Sequence, residues 1–113
     1  NNDPNTVQNT GNKDTLTILV EGINLLGDTV STTSIPAANF TVGITTGAGN
    51  PECAGTALVN NTAQTILGAS ISRGATATDD IYMCLVHVPS SLTTQTYSTG
   101  GTPDEEDWTV SVS

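Results

Sequence analysis

Residues 81–88 read IYMCLVHV, and this stretch decides the fold class of the chain. Apolar side chains occupy both alternating sets of positions, and the turn-forming run Pro89-Ser90-Ser91 follows directly. A short apolar run that ends at a turn signal is typical of a strand covered on both faces. The stretch therefore predicts a central strand of a β-protein, with Cys84 in its interior.

Three other stretches, residues 15–20, 39–45 and 108–113, alternate apolar and polar side chains. A period of two predicts strands that turn one face toward a core. Shorter candidates lie at residues 57–59, 64–67 and 94–98; residues 23–26 continue the strand at 15–20 or form an edge, and residues 69–72 are a further candidate. About seven strands predict an all-β, Ig-like antiparallel sandwich. The predicted core residues are Leu16, Ile18, Val20, Phe40, Val42, Ile44, Val86, Trp108, Val110 and Val112.

The length of 113 residues fits one domain. Residues 1–8 are polar and are expected to be extended, and the Asn-Thr-Gly-Asn run at residues 9–12 predicts a turn. We therefore divide the chain into an N-terminal segment, residues 1–12, and a sandwich domain, residues 13–113. The N-terminal segment is a candidate donor strand for a neighbouring subunit.

The charge of the chain restricts its partners and its location. Eleven acidic and two basic residues give a formal net charge of −9. Such a surface repels phosphate backbones and anionic lipids, so neither nucleic acid nor a membrane surface is an expected partner. No apolar run approaches the ~18 residues of a membrane span. The Thr-, Ser- and Gly-rich composition with few lysines is typical of an extracellular or cell-surface β-protein.

Cys53 and Cys84 are the two cysteines. They do not form a CxxC pair, and His87, the one histidine, cannot complete a usual zinc site with them. We expect one disulfide, which would close a loop of about 30 residues and add roughly 3–4 kcal/mol of stability. The alternative is two buried free thiols.

Two Asn-x-Thr sequences, which begin at Asn39 and Asn60, are candidate glycosylation sites. If Phe40 faces the core, strand alternation places Asn39 and Thr41 on the solvent face.

One dense group of carboxylates is a candidate for calcium. Its hard oxygen ligands suit Ca²⁺, and Asp79-Asp80 or Asp14 could join it from another loop. The spacing does not match a known calcium loop, and consecutive acids point in different directions, so an ordinary solvated loop is favoured over a calcium site or a calcium-bridged contact between subunits; no other cofactor is expected. The group consists of Asp104, Glu105, Glu106 and Asp107.

The residues do not predict an enzyme. Ser, Asp and the single His87 occur without a nucleophile motif, and His87 is expected at the surface. A sugar-binding platform needs exposed aromatic rings. Alternation buries Trp108 and Phe40 and places Tyr82 on the face of Cys84. Tyr97 is then the one aromatic residue left for a sugar-binding platform.

Several motifs resemble one family. The opening VQNTGN at residues 7–12, followed by a strand, resembles the "NTGN" start of Ig-like sandwich domains in archaeal secreted and cell-surface proteins. The block IYMCLVHVPSSL at residues 81–92, followed by Gln95-Thr96-Tyr97, is similar to the family block in which a strand runs into "VPSGL" and a tyrosine. The chain also resembles camelysin/TasA-type fibre subunits and archaeal extracellular filament subunits. The resemblance implies a sandwich whose terminal strand completes a neighbour.

These observations together favour a structural role. We expect a subunit of an extracellular filament, pilus or surface layer, assembled with copies of itself by β-strand complementation. Residues 1–8 or residues 108–113 are expected to contact the neighbour. The alternative is a monomeric spacer or a carbohydrate-binding or adhesion module of a larger surface protein.

Overall fold

The computed structural model of the chain describes residues 4–14, 16–44, 54–74, 77–99 and 108–113. This part of the chain is all-β and contains ten strands and one 3-10 turn at Ala37–Asn39. None of its helices is both long and apolar enough to span a bilayer. The strands are β1 (Asn5–Gln8), β2 (Leu16–Glu21), β3 (Leu25–Gly27), β4 (Ser34–Ile35), β5 (Phe40–Gly43), β6 (Thr56–Ala57), β7 (Gln64–Ile71), β8 (Thr78–Leu85), β9 (Tyr97–Ser98) and β10 (Thr109–Val112).

The described strands form three antiparallel sheets. The largest has the order β1-β8-β5-β6, and the others have the orders β10-β2-β7 and β4-β3-β9. The prediction of an all-β, antiparallel protein is therefore confirmed. The finer expectation of a sandwich with about seven strands is not, since ten strands in three sheets are found among the described residues.

The two larger sheets share one hydrophobic core. Its fully buried side chains come from β2, β5, β7 and β8 and from positions beside them. The predictions for Ile18, Val20 and Val42 are confirmed, because each is 0% exposed. Phe40 and Trp108 are partly buried and pack against the cluster. The cluster consists of Ile18, Val20, Ala37, Val42, Leu58, Ile66, Ala69, Ile71 and Ile81.

Four of the predicted core residues are exposed. Ile44 follows the end of β5 and Val86 follows the end of β8, so neither is held over the core by a strand. Val110 and Val112 point to the core side of β10, yet both remain exposed because β10 lies at the edge of its sheet. The side chain of Leu16 lies outside the described part of the protein.

The central strand is offset from its prediction. β8 begins at Thr78 and ends at Leu85, so it includes two aspartates and excludes the last apolar residues of the run. The carboxylate of Asp80 accepts a hydrogen bond from the Thr6 hydroxyl at 2.7 Å, and that of Asp79 accepts one from the Ser70 amide at 3.1 Å. These bonds make acidic residues compatible with a strand. Burial on both faces is confirmed by Ile81 at 0% and Tyr82 at 5% exposure.

The two short strands predicted at residues 64–67 and 69–72 are one strand, β7, with an irregularity in the middle. Its register against β2 shifts between Thr17 and Leu19, and Gly68 adopts a φ of 83°. The irregularity lets Ile66 and Ala69 both face the core, although they are three positions apart. Leu67 and Gly68 both lie on the outer face between them, and 86% of Leu67 is exposed.

The N-terminal segment pairs within its own chain. β1 lies antiparallel to β8, with Asn5 opposite Ile81. The turn that follows is fixed by the side chain of Asn9, which is 3% exposed. Its amide nitrogen donates to the carbonyl oxygens of Lys13 and Ser72, and its oxygen accepts a bond from the Gly11 amide. The predicted turn at residues 9–12 is thus closed locally by Lys13 and Gly11 and tied to the distant Ser72.

Candidate functional site at the C-terminal strand

The strand β10 is the outermost strand of its sheet within the described residues. Val110 lies opposite Val20 and Val112 lies opposite Ile18 on β2. Residues directly opposite each other point to the same face of a sheet. The two valines therefore extend the core face beyond β2, but they are 40% and 44% exposed, whereas Val20 and Ile18 are 0% exposed. The apolar face of this sheet therefore extends beyond its buried part onto β10.

The hydrogen-bond pattern shows which way the main chain of β10 faces. Thr17 and Ser113 exchange both of their main-chain hydrogen bonds at 3.0 Å. Hydrogen-bonded and non-hydrogen-bonded pairs alternate along an antiparallel ladder. Val112 opposite Ile18 and Val110 opposite Val20 are therefore non-hydrogen-bonded pairs. The N–H and C=O groups of both valines consequently point away from β2, toward the edge of the described sheet.

Among the described residues, this edge has none of the usual features that block strand pairing. Natural edge strands are protected by lysines, prolines, bulges or covering segments. β10 reads TVSV and contains neither a charged residue nor a proline, and its pairing with β2 is regular. An added strand would find outward main-chain groups and an exposed apolar row on the same residues. Chemically, the site can accept a strand with apolar side chains at alternate positions.

The strands at the other end of the two larger sheets, β6 and β7, contact each other. Thr56 is the first residue of β6. Its hydroxyl donates to the carbonyl of Thr65 on β7 at 3.5 Å and accepts from the amide of Leu67 on β7 at 3.4 Å. These contacts bring β6 and β7, each the last strand of its sheet, side by side. In the described part of the chain, β1 and β10 are the strands at the other ends of these two sheets. The accessible edge of the smaller core sheet is therefore β10.

Trp108 anchors the start of β10. Its indole nitrogen donates to the main-chain oxygen of Ile23 at 3.1 Å, and its ring meets that of Phe40 edge to face at 4.8 Å. Both rings are half-buried, so neither offers a flat exposed face for stacking on a sugar. Their position against the core follows the prediction from alternation.

Tyr97, the remaining aromatic candidate, belongs to a polar cluster. Its hydroxyl donates to the Thr93 carbonyl at 3.0 Å, and the side-chain amide of Gln95 donates to the same hydroxyl at 3.2 Å. The Gln95 side-chain oxygen also accepts the amides of Thr29 and Val30. Burial raises the pKa of Tyr97, but hydrogen bonds from Thr33, Thr93 and Gln95 lower it more, leaving the pKa below the usual tyrosine value.

The calcium candidates Asp104, Glu105, Glu106 and Asp107 lie outside the described residues. The other three carboxylates do not converge on one point. Asp14 accepts the Arg73 amide and lies 3.6 Å from its guanidinium, whereas Asp79 and Asp80 bond to Ser70 and Thr6. No group of three or more potential metal ligands occurs in the described ranges.

Cys84 is 8% exposed and is not a free thiol. Its predicted partner, Cys53, lies outside the described part of the chain, so the pairing stays a prediction. His87 is exposed, which confirms its predicted position at the surface.

The two candidate glycosylation sites differ in access. Asn60 is exposed, and its side-chain oxygen accepts the Asn24 amide at 2.9 Å. Asn39 is half-buried at the end of the 3-10 turn. The expectation that Thr41 faces solvent is wrong, because it lies opposite Cys84 on a covered face and is 8% exposed.

No protein-family model, curated protein or solved structure matches this chain. The candidate site therefore rests on the geometry of β10. Its alternation of valine with serine and threonine predicted a strand at residues 108–113. Its place at the edge depends on which strands pair over long distances, and no local pattern reports that.

Proposed function

We propose that the protein is a structural subunit of an extracellular filament, pilus or surface layer and assembles with copies of itself by β-strand addition. The observation that carries this proposal is the edge of β10, where Val110 and Val112 combine outward main-chain groups with half-exposed side chains. In strand addition, main-chain hydrogen bonds supply affinity and alternate side chains supply specificity. Both elements are present on the same two residues.

The interpretation as an Ig-like sandwich with a disulfide is part of the same proposal. The shared core between the two larger sheets supports it. So does the hydrogen bond from Tyr97 to the main chain of Thr93, four residues upstream, because this contact resembles the tyrosine corner of Greek-key sandwiches. We propose that Cys53 and Cys84 form the disulfide, in keeping with the absence of a free thiol at Cys84. The archaeal resemblance is proposed from the motifs at residues 7–12 and 81–92. The extracellular location is proposed from the Thr-, Ser- and Gly-rich composition with few lysines.

The charge of the chain sets the conditions for assembly. A net charge of −9 makes copies of the protein repel each other, and salt screens that repulsion over about 8–10 Å at 0.1–0.15 M. Assembly is therefore expected to strengthen as ionic strength rises. A specific further gain with calcium, at constant ionic strength, would support a role for the acidic residues Asp104, Glu105, Glu106 and Asp107.

The test compares two lysine variants on one strand. Val110→Lys places a charge in the apolar row at the edge, whereas Ser111→Lys places the same charge on the opposite face of β10. Both positions are exposed, so both variants should fold, which circular dichroism would check. Negative-stain electron microscopy and sedimentation would then follow assembly against protein concentration.

The proposal expects the original protein and Ser111→Lys to assemble and Val110→Lys to remain monomeric. If the original protein is monomeric at high concentration and Val110→Lys behaves identically, the proposal is wrong. The protein would then be better described as a monomeric spacer or a carbohydrate-binding module. Equal assembly of both variants would also overturn the role of the β10 edge.

A further inference from the structure

We infer that the partner of β10 is the β10 strand of a second copy, paired antiparallel about a two-fold axis through Ser111. This inference rests on the proposed function and specifies which strand occupies the edge. It follows from the pattern of residues along β10. In a two-fold contact the same strand lies on both sides, so its main-chain groups and side chains must be complementary to those of an identical strand running the opposite way.

The main-chain pattern allows this pairing. Val110 and Val112 direct their N–H and C=O groups outward, whereas Ser111 lies in a hydrogen-bonded pair with Leu19 of β2. When two copies meet antiparallel with Ser111 on the axis, Val110 of each copy faces Val112 of the other. Both are then hydrogen-bonded pairs that exchange two bonds each. The two copies join their sheets in the order β7-β2-β10-β10-β2-β7.

The side chains match in the same register. Val110 and Val112 point to the core face, so the four valines of two copies would form one continuous apolar row. That row is flanked by Val20 and Ile18 of each copy, which are already buried. Self-pairing would cover side chains that are now 40% and 44% exposed, without placing any polar group among them.

The side chains of β2 and β10 place little charge at this edge, so local repulsion between two copies is small. β10 carries no charged residue, and the one charge on the adjacent strand β2 is Glu21, at its far end and opposite Thr109. Side chains alternate between the two faces of a strand, so Thr109 and Glu21, next to Val110 and Val20, lie on the face opposite the valine row. Within β2 and β10, two copies can therefore meet without bringing side-chain carboxylates together, even though the whole chain carries a charge of −9.

The seam is short, which determines how the dimer behaves. β10 has four residues, and a seam of this length is expected to bury less than the roughly 1,200–2,000 Å² of a stable complex. The pairing is therefore weak and depends on protein concentration. A two-fold contact also closes on itself, so it produces a dimer as the building block, and growth into a filament requires a second contact elsewhere on the surface.

A cysteine scan along β10 tests the register. Ser111→Cys brings two thiols together across the axis in a non-hydrogen-bonded pair, where Cα atoms lie about 4.5 Å apart and a disulfide can form. Thr109→Cys and Ser113→Cys are matched controls, because both residues are exposed and lie on the same face of β10. In the proposed register their thiols are each four positions from their symmetry mates, too far for a bond.

Each variant would be oxidised mildly at high concentration, and the covalent dimer would be quantified on a non-reducing gel and mapped by mass spectrometry. The expected result is that most of Ser111→Cys becomes a dimer linked at position 111, whereas the two controls stay at the background of the original protein. Adding Val110→Lys to Ser111→Cys should abolish the cross-link.

Other outcomes separate this inference from the proposed function. Preferential linkage at Thr109→Cys or Ser113→Cys would overturn the register. If no variant cross-links but the protein still assembles and Val110→Lys blocks assembly, the two-fold pairing is wrong and the edge binds a different segment. If neither assembly nor cross-linking occurs, the proposed function fails as well.

Discussion

The ring of Trp108 meets the ring of Phe40 edge to face, with centroids 4.8 Å apart and an angle of 86° between the planes. Trp108 precedes β10 and Phe40 begins β5, so this contact ties the C-terminal edge strand to the larger sheet. The aromatic pair therefore adds a contact to the larger sheet, while the main-chain pairing with β2 holds the rest of β10 in place.

Replacing Trp108 should weaken that attachment measurably. Trp108→Ala removes both the ring contact and the hydrogen bond to Ile23, and a loss of about 2–4 kcal/mol in the free energy of unfolding is expected because the ring is only half-buried. Trp108→Phe keeps a ring and should lose about 1 kcal/mol. Urea unfolding followed by circular dichroism would measure both. Equal losses for the two variants would show that the hydrogen bond, rather than the ring, dominates.

Asn9 should be the most sensitive position of the N-terminal turn. Asn9→Ala leaves the Gly11 amide and the carbonyls of Lys13 and Ser72 without their partner, which should destabilise the fold by about 2–3 kcal/mol. Asn12→Ala, an exposed position in the same turn, should change stability by no more than about 0.5 kcal/mol. Thermal unfolding of the two variants side by side would check this, and similar small effects would contradict the assigned role of Asn9.

Gly68 should resist substitution because of its backbone conformation. With a φ of 83° it lies where an L side chain costs about 1–2 kcal/mol, so Gly68→Ala is expected to destabilise by that amount. Gly43→Ala is the matched control, since its added Cβ would meet the nearest atoms at an ordinary 3.5 Å. A smaller loss at Gly68 than at Gly43, measured by chemical unfolding, would contradict this account of the β7 irregularity.

The proposed disulfide has a direct chemical test. Non-reducing mass analysis should find the chain two hydrogens lighter than its sequence predicts, with Cys53 linked to Cys84. Reduction should lower the free energy of unfolding by roughly 3–4 kcal/mol, because the open loop of about 30 residues gains chain entropy in the unfolded state. Two alkylatable thiols in the native protein would disprove the pairing.

Local pattern was sufficient for the fold class and for part of the core. Ile18, Val20 and Val42 alternate with polar residues, and this period alone placed them correctly inside. The same rule gave the wrong environment for Val110 and Val112, because alternation reports which face a residue occupies but not whether another layer covers that face. Coverage depends on pairings between strands far apart in the chain.

The offset of β8 has a different physical cause. Asp79 and Asp80 look unsuited to a strand, because acidic residues are depleted in sheets. Their carboxylates nevertheless accept hydrogen bonds from Ser70 and Thr6, which come from distant parts of the chain. A pattern-based prediction therefore placed the strand too late, at the apolar end of the run. The candidate site at β10 was predicted as a strand and as one of two contact segments, while its outward main-chain groups required the register with β2.

The burial of Thr41 bears on the order in which the protein could fold and be glycosylated. An enzyme that modifies asparagine must reach the hydroxyl residue two positions later, and Thr41 becomes inaccessible once β5 is in place. Asn39 could thus receive a glycan only on the unfolded chain, whereas Thr62, two positions after Asn60, stays exposed in the finished protein. The glycan occupancies of the two asparagines would therefore show whether modification precedes or follows folding. A glycan at both sites indicates modification before folding, and a glycan at Asn60 alone indicates modification afterwards.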